Sequence, residues 1–175
     1  MDVKEAIEKR KSIRAYQARD VPKEIVLELI DAARLAPTGK NIQPLRIKVL
    51  GKATIERLKQ AQVFPQEFVY TAPVILICYG NPDVYLEKYP DSTYEQNVLR
   101  TMRDISIQTA FLMLRATELG LGSCYIGRMD KEKAKELLGI PKSYVLAYAI
   151  TLGYPAEEGR PRARLELEEL YEELP

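Results

Sequence analysis

Residues 98–127 read Val-Leu-Arg-Thr-Met-Arg-Asp-Ile-Ser-Ile-Gln-Thr-Ala-Phe-Leu-Met-Leu-Arg-Ala-Thr-Glu-Leu-Gly-Leu-Gly-Ser-Cys-Tyr-Ile-Gly. Val98, Met102, Ile105, Thr109, Leu112, Ala116 and Leu119 recur every three or four residues, the spacing of one helical face. Leu99, Ala110 and Met113 widen the stripe. The spacing predicts a long, heavily buried helix whose apolar surface can serve a core and an interface. Gly120 is placed to stop it. Three glycines then fall within Gly120–Gly127, where missing side chains would let backbone approach a ligand closely. The segment has neither the spacing of a Walker loop nor that of a dinucleotide fingerprint. By itself it equally fits a helix stop followed by a buried strand.

Working toward the C-terminus, Asp130 can cap a short helix over 131–138, which Leu-Gly-Ile-Pro ends. Tyr144 to Leu152 form a β-rich run closed by Gly153 and Pro155. The tail is basic at Arg160, Arg162 and Arg164, then acidic from Glu166 to Glu173. Working toward the N-terminus, residues 81–94 are rich in Pro, Tyr and Asp and read as a loop. Val74 to Tyr79 form a continuous apolar run after Pro73, as in a strand covered on both faces. Residues 53–62 form an amphipathic helix, and Leu45 to Leu50 alternate as a strand ended by Gly51. Residues 37–44 are an ordered loop with proline at both ends. A helix opens at Pro22, carries Ile25, Leu29, Ala32, Ala33 and Ala36 at helical spacing, and stops at Pro37. Residues 2–10 form a short helix capped by Asp2, with Val3, Ala6 and Ile7 on its apolar face. Helices outnumber strands and do not alternate strictly with them, so an α+β fold is expected. The 175 residues favour one domain spanning 1–175.

Composition excludes several classes of function. Hydrophobic residues are 46% and charged residues 29% of the chain, an ordinary folded composition. A net charge of +1 gives no reason to expect nucleic acid or a membrane surface as partner. The charged start, Met1 to Arg10, is unlike a signal peptide. No stretch approaches the roughly 20 apolar residues of a membrane span, so cytoplasm is the expected compartment. Cys78 and Cys124 lie far apart and are expected as two buried thiols. The chain has no histidine, which excludes Ser-His-Asp and Cys-His catalysis and His-liganded zinc or iron. Demanding chemistry would then fall to a cofactor.

Three further segments could carry a ligand. Arg10-Lys11-Ser12-Ile13-Arg14 sets four potential phosphate donors in five residues, and in extended backbone Arg10, Ser12 and Arg14 face one way. The same residues also suit a solvated basic face at a helix C-terminus. Pro37-Thr38-Gly39-Lys40-Asn41-Ile42-Gln43-Pro44 offers a rigid polar surface for a flat ring, although such compositions are common in turns. Arg160-Pro-Arg162-Ala-Arg164 projects alternate arginines to one side, or is a surface charge run.

Taken together and in order, these segments resemble the FMN-dependent nitroreductase family. The basic opening of that family stands here as Arg10-Lys11-Ser12-Ile13-Arg14-Ala15-Tyr16, and its Ala-Pro-(Ser/Thr)-x-x-Asn-x-Gln-Pro stretch as Ala36 to Pro44. The glycine-rich end of the long helix matches 120–127, and the last strand with Gly-Tyr-Pro and a basic tail matches 153–164. Leu45 stands where many members carry Trp, and the segment between the strand at 74–79 and the long helix is short. The resemblance implies a mixed, mostly antiparallel sheet wrapped by helices, in an intertwined homodimer with two FMN sites. Arg10, Lys11, Ser12 and Arg14 would touch FMN from one subunit, and Pro37, Thr38, Gly39 and Asn41 from the other. Ile126 and Gly127 would offer backbone groups near the reactive edge of the ring, and Arg162 and Arg164 would close on the phosphate. Arg14 would stand apart, by the pyrimidine edge, as a fixed cation that raises the reduction potential; the alternative is a further phosphate ligand. No side chain is expected to be catalytic, since flavin N5 is the reacting atom. The implied reaction moves two electrons from NADH or NADPH to a nitroaromatic, a quinone or a similar acceptor. The rivals are a flavin-binding or storage protein, or another reaction on the same scaffold, such as dehalogenation, flavin destruction or ring dehydrogenation.

Overall fold

Among residues 1–174, which the computed structural model describes, four strands form one sheet: β1 (Leu45–Leu50), β2 (Val74–Gly80), β3 (Gly122–Ile126) and β4 (Val145–Gly153). Their order is β1-β2-β4-β3 and every neighbouring pair is antiparallel, with Ile77 opposite Ala149 and Cys124 opposite Thr151. A parallel element enters only as an isolated bridge between Ser12 and Ser123. The central strands β2 and β4 are the two continuous apolar runs, and both are buried along nearly their whole length.

Alternation along β2 divides the core in two. Ile75 and Ile77 join Leu50, Leu58, Phe64, Cys124 and Ile126 on one face, beside α3 (Lys52–Gln60) and α5 (Lys131–Leu138). Leu76 and Cys78 join Leu29, Ala33, Ile105, Leu112 and Ala116 on the other, beside α2 (Lys23–Arg34) and α4 (Tyr94–Glu118). Helices thus cover both faces of an antiparallel sheet, the wrapped α+β arrangement that the resemblance implies. α4 opens on a capping box in which Thr93 and Gln96 satisfy each other's backbone amides. α5 is capped by Asp130 and closed by Gly139 in the left-handed region.

The structure departs from the sequence reading at four places. In α1 (Val3–Lys9) only Ala6 is buried, whereas Val3 and Ile7 face out. On α4, Leu99 is 70% exposed and Ala110 also lies outside the core. The loop before α4 contains a 3-10 turn at Pro82–Tyr85, with Tyr85 fully buried. The acidic tail contains another turn at Leu167–Glu169. No helix among the described residues is long and apolar enough to cross a membrane.

Candidate functional site

The segment after α1 runs extended along the outer edge of the sheet. Ile13 N–H donates to the Ser123 carbonyl at 3.0 Å, and Ile13 is buried against Gly122. A Cβ at Gly122 would lie 2.7–2.9 Å from three Ile13 side-chain atoms, so the missing side chain is what lets the segment lie this close. The Tyr16 hydroxyl donates to the Ile13 carbonyl and pairs with Thr151 Oγ1, both at 2.7 Å. Burial pushes that phenol well above its usual range. Further along, Gln17 N–H donates to the Tyr154 carbonyl, Ala156 N–H to the Ala15 carbonyl, and Arg14 N–H to Glu157 Oε1 at 2.6 Å.

This stitching carries the tail back over the first turn of chain. A cavity of about 100 Å³ results, lined by Glu8, Arg10, Lys11, Ser12, Arg160, Arg162 and Arg164. Five cations and a hydroxyl thus face a single carboxylate, a donor set suited to an oxyanion such as phosphate. The structure brings together five residues expected at the phosphate or beside it, Arg10, Lys11, Ser12, Arg162 and Arg164. It also brings in Arg160, the first of the alternating tail arginines, which the resemblance does not place at the phosphate. Arg14 does not line the cavity; its guanidinium donates to the Ser12 carbonyl at 3.3 Å. Burial raises the pKa of the nearby Cys124 thiol, although Arg14, Ser12, Arg162 and Arg10 all pull it down. Beyond it, Ile126 ends β3 in the core, and Gly127 has open space where a Cβ would stand.

The loop at 37–44 is shaped separately. Lys40, Asn41 and Gln43 have φ of 53°, 56° and 54°, three non-glycine residues in the left-handed region within four positions. Gln43 N–H donates to Thr38 Oγ1 at 3.1 Å, and its amide donates to Asn41 Oδ1 at 3.0 Å. Gly39 N–H donates to Asp104 Oδ2 at 2.9 Å. Asp104, fully buried on α4, also accepts from the Tyr85 hydroxyl and from Arg103 Nε, each at 2.7 Å. Pro37 and Asn41 are exposed, Thr38 and Gly39 half-buried, and none of the four lines the arginine cavity. Asp104, Tyr85 and Glu157 are absent from the candidates the sequence offers, and Tyr16 enters there only as the closing aromatic of the basic motif. For Asp104 a signal existed: Asn97, Thr101, Asp104 and Gln108 repeat at helical spacing and form a polar line on the buried face of α4.

Residues 7–154 match the family profile described as "Nitroreductase family". An NADH dehydrogenase of Thermus thermophilus is 32% identical over 192 residues, covering 96% of this chain and 94% of that protein. Among solved structures, a Staphylococcus epidermidis chain assigned as an NAD(P)H:FMN oxidoreductase superposes with a TM-score of 0.91 at 25% identity, covering 99% of this chain and 96% of that one. A Desulfovibrio desulfuricans chain assigned as a nitroreductase, solved in complex with FMN, gives a TM-score of 0.83 at 26% identity, covering 100% and 98%.

Proposed function

The chain belongs to the nitroreductase family, and from that premise we propose that it is an NAD(P)H-dependent oxidoreductase holding FMN non-covalently between two copies of itself. The observation that carries the reading is the arginine cavity. It draws Arg10, Lys11 and Ser12 from one end of the chain and Arg160, Arg162 and Arg164 from the other, a donor set suited to a phosphate monoester. The residues fit the cofactor, because the cavity offers forks and a hydroxyl for the phosphate, while Gly127 leaves room for backbone to approach a ring.

When bound, FMN supplies two-electron chemistry at N5, between NADH or NADPH and a small acceptor such as a nitroaromatic or a quinone. The chain's own residues bind, orient and tune. Arg10, Ser12, Arg162 and Arg164 hold the phosphate. Ile126 and Gly127 present backbone beside the reactive edge. Arg14, outside the cavity, supplies a fixed positive charge by the pyrimidine side of the ring. Pro37, Thr38, Gly39 and Asn41 reach the flavin bound by the other subunit. With no histidine in the chain, no side chain with an unperturbed pKa near neutrality stands ready as acid or base.

Apolar surface supports the dimer. Leu99 and Phe111 on α4 and Leu165, Leu167, Leu170, Tyr171 and Leu174 in the tail are exposed in the single chain. A groove of about 500 Å³ lined by Val3, Ala6, Ala32, Phe111 and Leu114, among others, offers an apolar seat for such residues. Both cysteines are buried and unbridged, which suits the reduced cytoplasm.

The test is the visible spectrum of the purified protein, followed by anaerobic stopped-flow reduction with NADH and NADPH and turnover with menadione or nitrofurazone. Bound FMN reduced faster than free FMN is expected. A colourless protein that takes up no added FMN would end the proposal, and bound flavin reduced no faster than free FMN would make this a storage protein.

A further inference from the structure

The geometry points to Asp104 as a positioning residue that, with Tyr85 and Arg103, clamps the strained Pro37–Pro44 loop in the shape that contacts the flavin ring. The inference rests on the flavin reading above and concerns the half of the site that the phosphate cavity leaves unexplained.

Asp104 has no solvent-exposed surface, a costly place for a carboxylate unless hydrogen bonds replace its water. Three do so, and they come from three parts of the chain. Oδ2 accepts the Gly39 amide from the loop and the hydroxyl of Tyr85 from the turn after β2, while Oδ1 accepts Arg103 Nε from α4 itself. The contact with the loop is close: a Cβ at Gly39 would lie 2.5 Å from Arg103 Nη2 and 3.5 Å from Asp104 Oδ2. Immediately beyond it come Lys40, Asn41 and Gln43, all left-handed, a conformation that L side chains adopt only when their surroundings impose it. Asn41 tolerates that region well, Lys40 and Gln43 poorly. Inside the loop, bonds from Gln43 to Thr38 and Asn41, from Asn41 N–H to the Thr38 carbonyl and from Ile42 N–H to the Gly39 carbonyl shape it, and at its far end Arg46 of β1 donates to the Gln43 carbonyl at 3.1 Å. The Gly39 amide joins it to the buried face of α4. Burial raises the Asp104 carboxyl, but the bonds from Arg103, Tyr85 and Gly39 outweigh this and keep it below its ordinary value, so the acceptor stays ionised. A neutral residue of the same shape would hold the loop less firmly. Asparagine offers one acceptor oxygen where three donors converge, and its amide hydrogens would face donors.

The test compares Asp104→Asn and Tyr85→Phe with the parent protein, titrating each with FMN and with riboflavin, and following amide hydrogen exchange. Because the loop is assigned to the ring and not to the phosphate, Asp104→Asn should weaken FMN and riboflavin by the same factor, about tenfold or more, the scale of one charge-assisted bond. Exchange should quicken at 39–43 while the middle of α4 and β2 stays protected. Tyr85→Phe removes one of the three donors and should shift both readouts in the same direction by less. The inference falls if both variants bind FMN and riboflavin within about twofold of the parent. It falls equally if FMN weakens while riboflavin does not, or if exchange rises evenly across α4, β2 and the loop. If the parent takes up no FMN, the flavin reading itself has failed; unchanged affinities in variants of a parent that does bind FMN sink only the clamp.

Discussion

Arg164 lines the arginine cavity and is exposed to solvent, yet its expected effect is selective. A charge-assisted hydrogen bond to phosphate contributes about 1.5–3 kcal/mol. Arg164→Ala should therefore weaken FMN roughly ten- to a hundredfold while riboflavin, which lacks the phosphate, changes little. Fluorescence titration with the two ligands measures the split, and equal losses would place Arg164 elsewhere. Arg14 should behave otherwise, since it lies outside the cavity. A fixed cation beside the ring favours the more negative, reduced form, so Arg14→Gln should make the potential of bound FMN more negative at saturating cofactor. An unchanged potential with weaker binding would make Arg14 a phosphate ligand instead. Asp104 adds a pH dependence. Its folded pKa is depressed below the ordinary 3.8, so its contribution to stability is fully present above that value and is lost as pH falls through the folded value. The stability gap between parent and Asp104→Asn, read from urea unfolding, should thus narrow in acid below pH 3.8 and stay constant above it. A gap independent of pH down to the end of the folded range would contradict the ionised clamp. These residues differ in how legible they were. The arginines show in sequence because alternation within a short run is local information. Asp104 is harder to read: it lies on the polar line Asn97-Thr101-Asp104-Gln108, but an acid in a charged helix looks like solvated surface until the buried face is known.

Between β3 and the segment that follows α1, Gly122 is the close contact that decides the register. Ile13 Cβ would be 2.8 Å from a Cβ at 122, and Cβ is no flexible side-chain end that can swing away. Gly122→Ala should displace residues 10–16 from the sheet edge, break the Ile13–Ser123 hydrogen bond, and weaken FMN through Arg10 and Ser12 without touching any ligand group directly. Crystallography of the variant beside an FMN titration checks this; parental affinity with an unmoved segment would show that Ile13 can repack. The elements themselves were largely readable. β2 and β4 announce themselves as continuous apolar runs, and α4 as a long periodic stripe, because burial on all sides or along one face writes itself into local composition. Strand order was not readable, since β2 meets β4 across the intervening α4, β3 and α5, and pairing at such separation leaves no local mark. The turn at Pro82–Tyr85 was hidden for a related reason. A loop-like composition conceals Tyr85, whose burial depends on Asp104 in a different element. α1 was misread at Val3 and Ile7 because an apolar face predicts burial without saying against what.

At the scale of the whole molecule, the tail and α4 present apolar surface that one chain does not cover. Leu165, Leu167, Leu170 and Leu174 are each more than 60% exposed, and Leu99 on α4 is 70% exposed. In water each such side chain forgoes roughly 1.5–3 kcal/mol of burial, so a surface carrying several of them implies a partner. A second copy of the chain supplies both halves of a contact, because the tail is apolar and the groove beside Ala6, Phe111 and Leu114 is apolar as well. The site points the same way. Within one chain the 37–44 loop is tied to α4 through Gly39, and none of its proposed flavin contacts lines the arginine cavity, in keeping with the proposal that a complete site takes a cavity from one copy and a loop from another. Dimerisation and flavin affinity are then linked, and removing the tail beyond the arginines should lower both together. A chain ending at Arg164 keeps Arg160, Arg162 and Arg164 but loses Leu165 to Pro175. The 175-residue chain is expected to scatter light as twice its 20.0 kDa mass at micromolar concentration with FMN bound. The shortened chain is expected to shift toward the monomer and to lose FMN and riboflavin alike, since its phosphate cavity remains and only the partner's loop is gone. A shortened chain that stays dimeric with parental flavin affinity would remove the tail from the interface. A monomer of the 175-residue chain that holds FMN would remove the second copy from the site altogether.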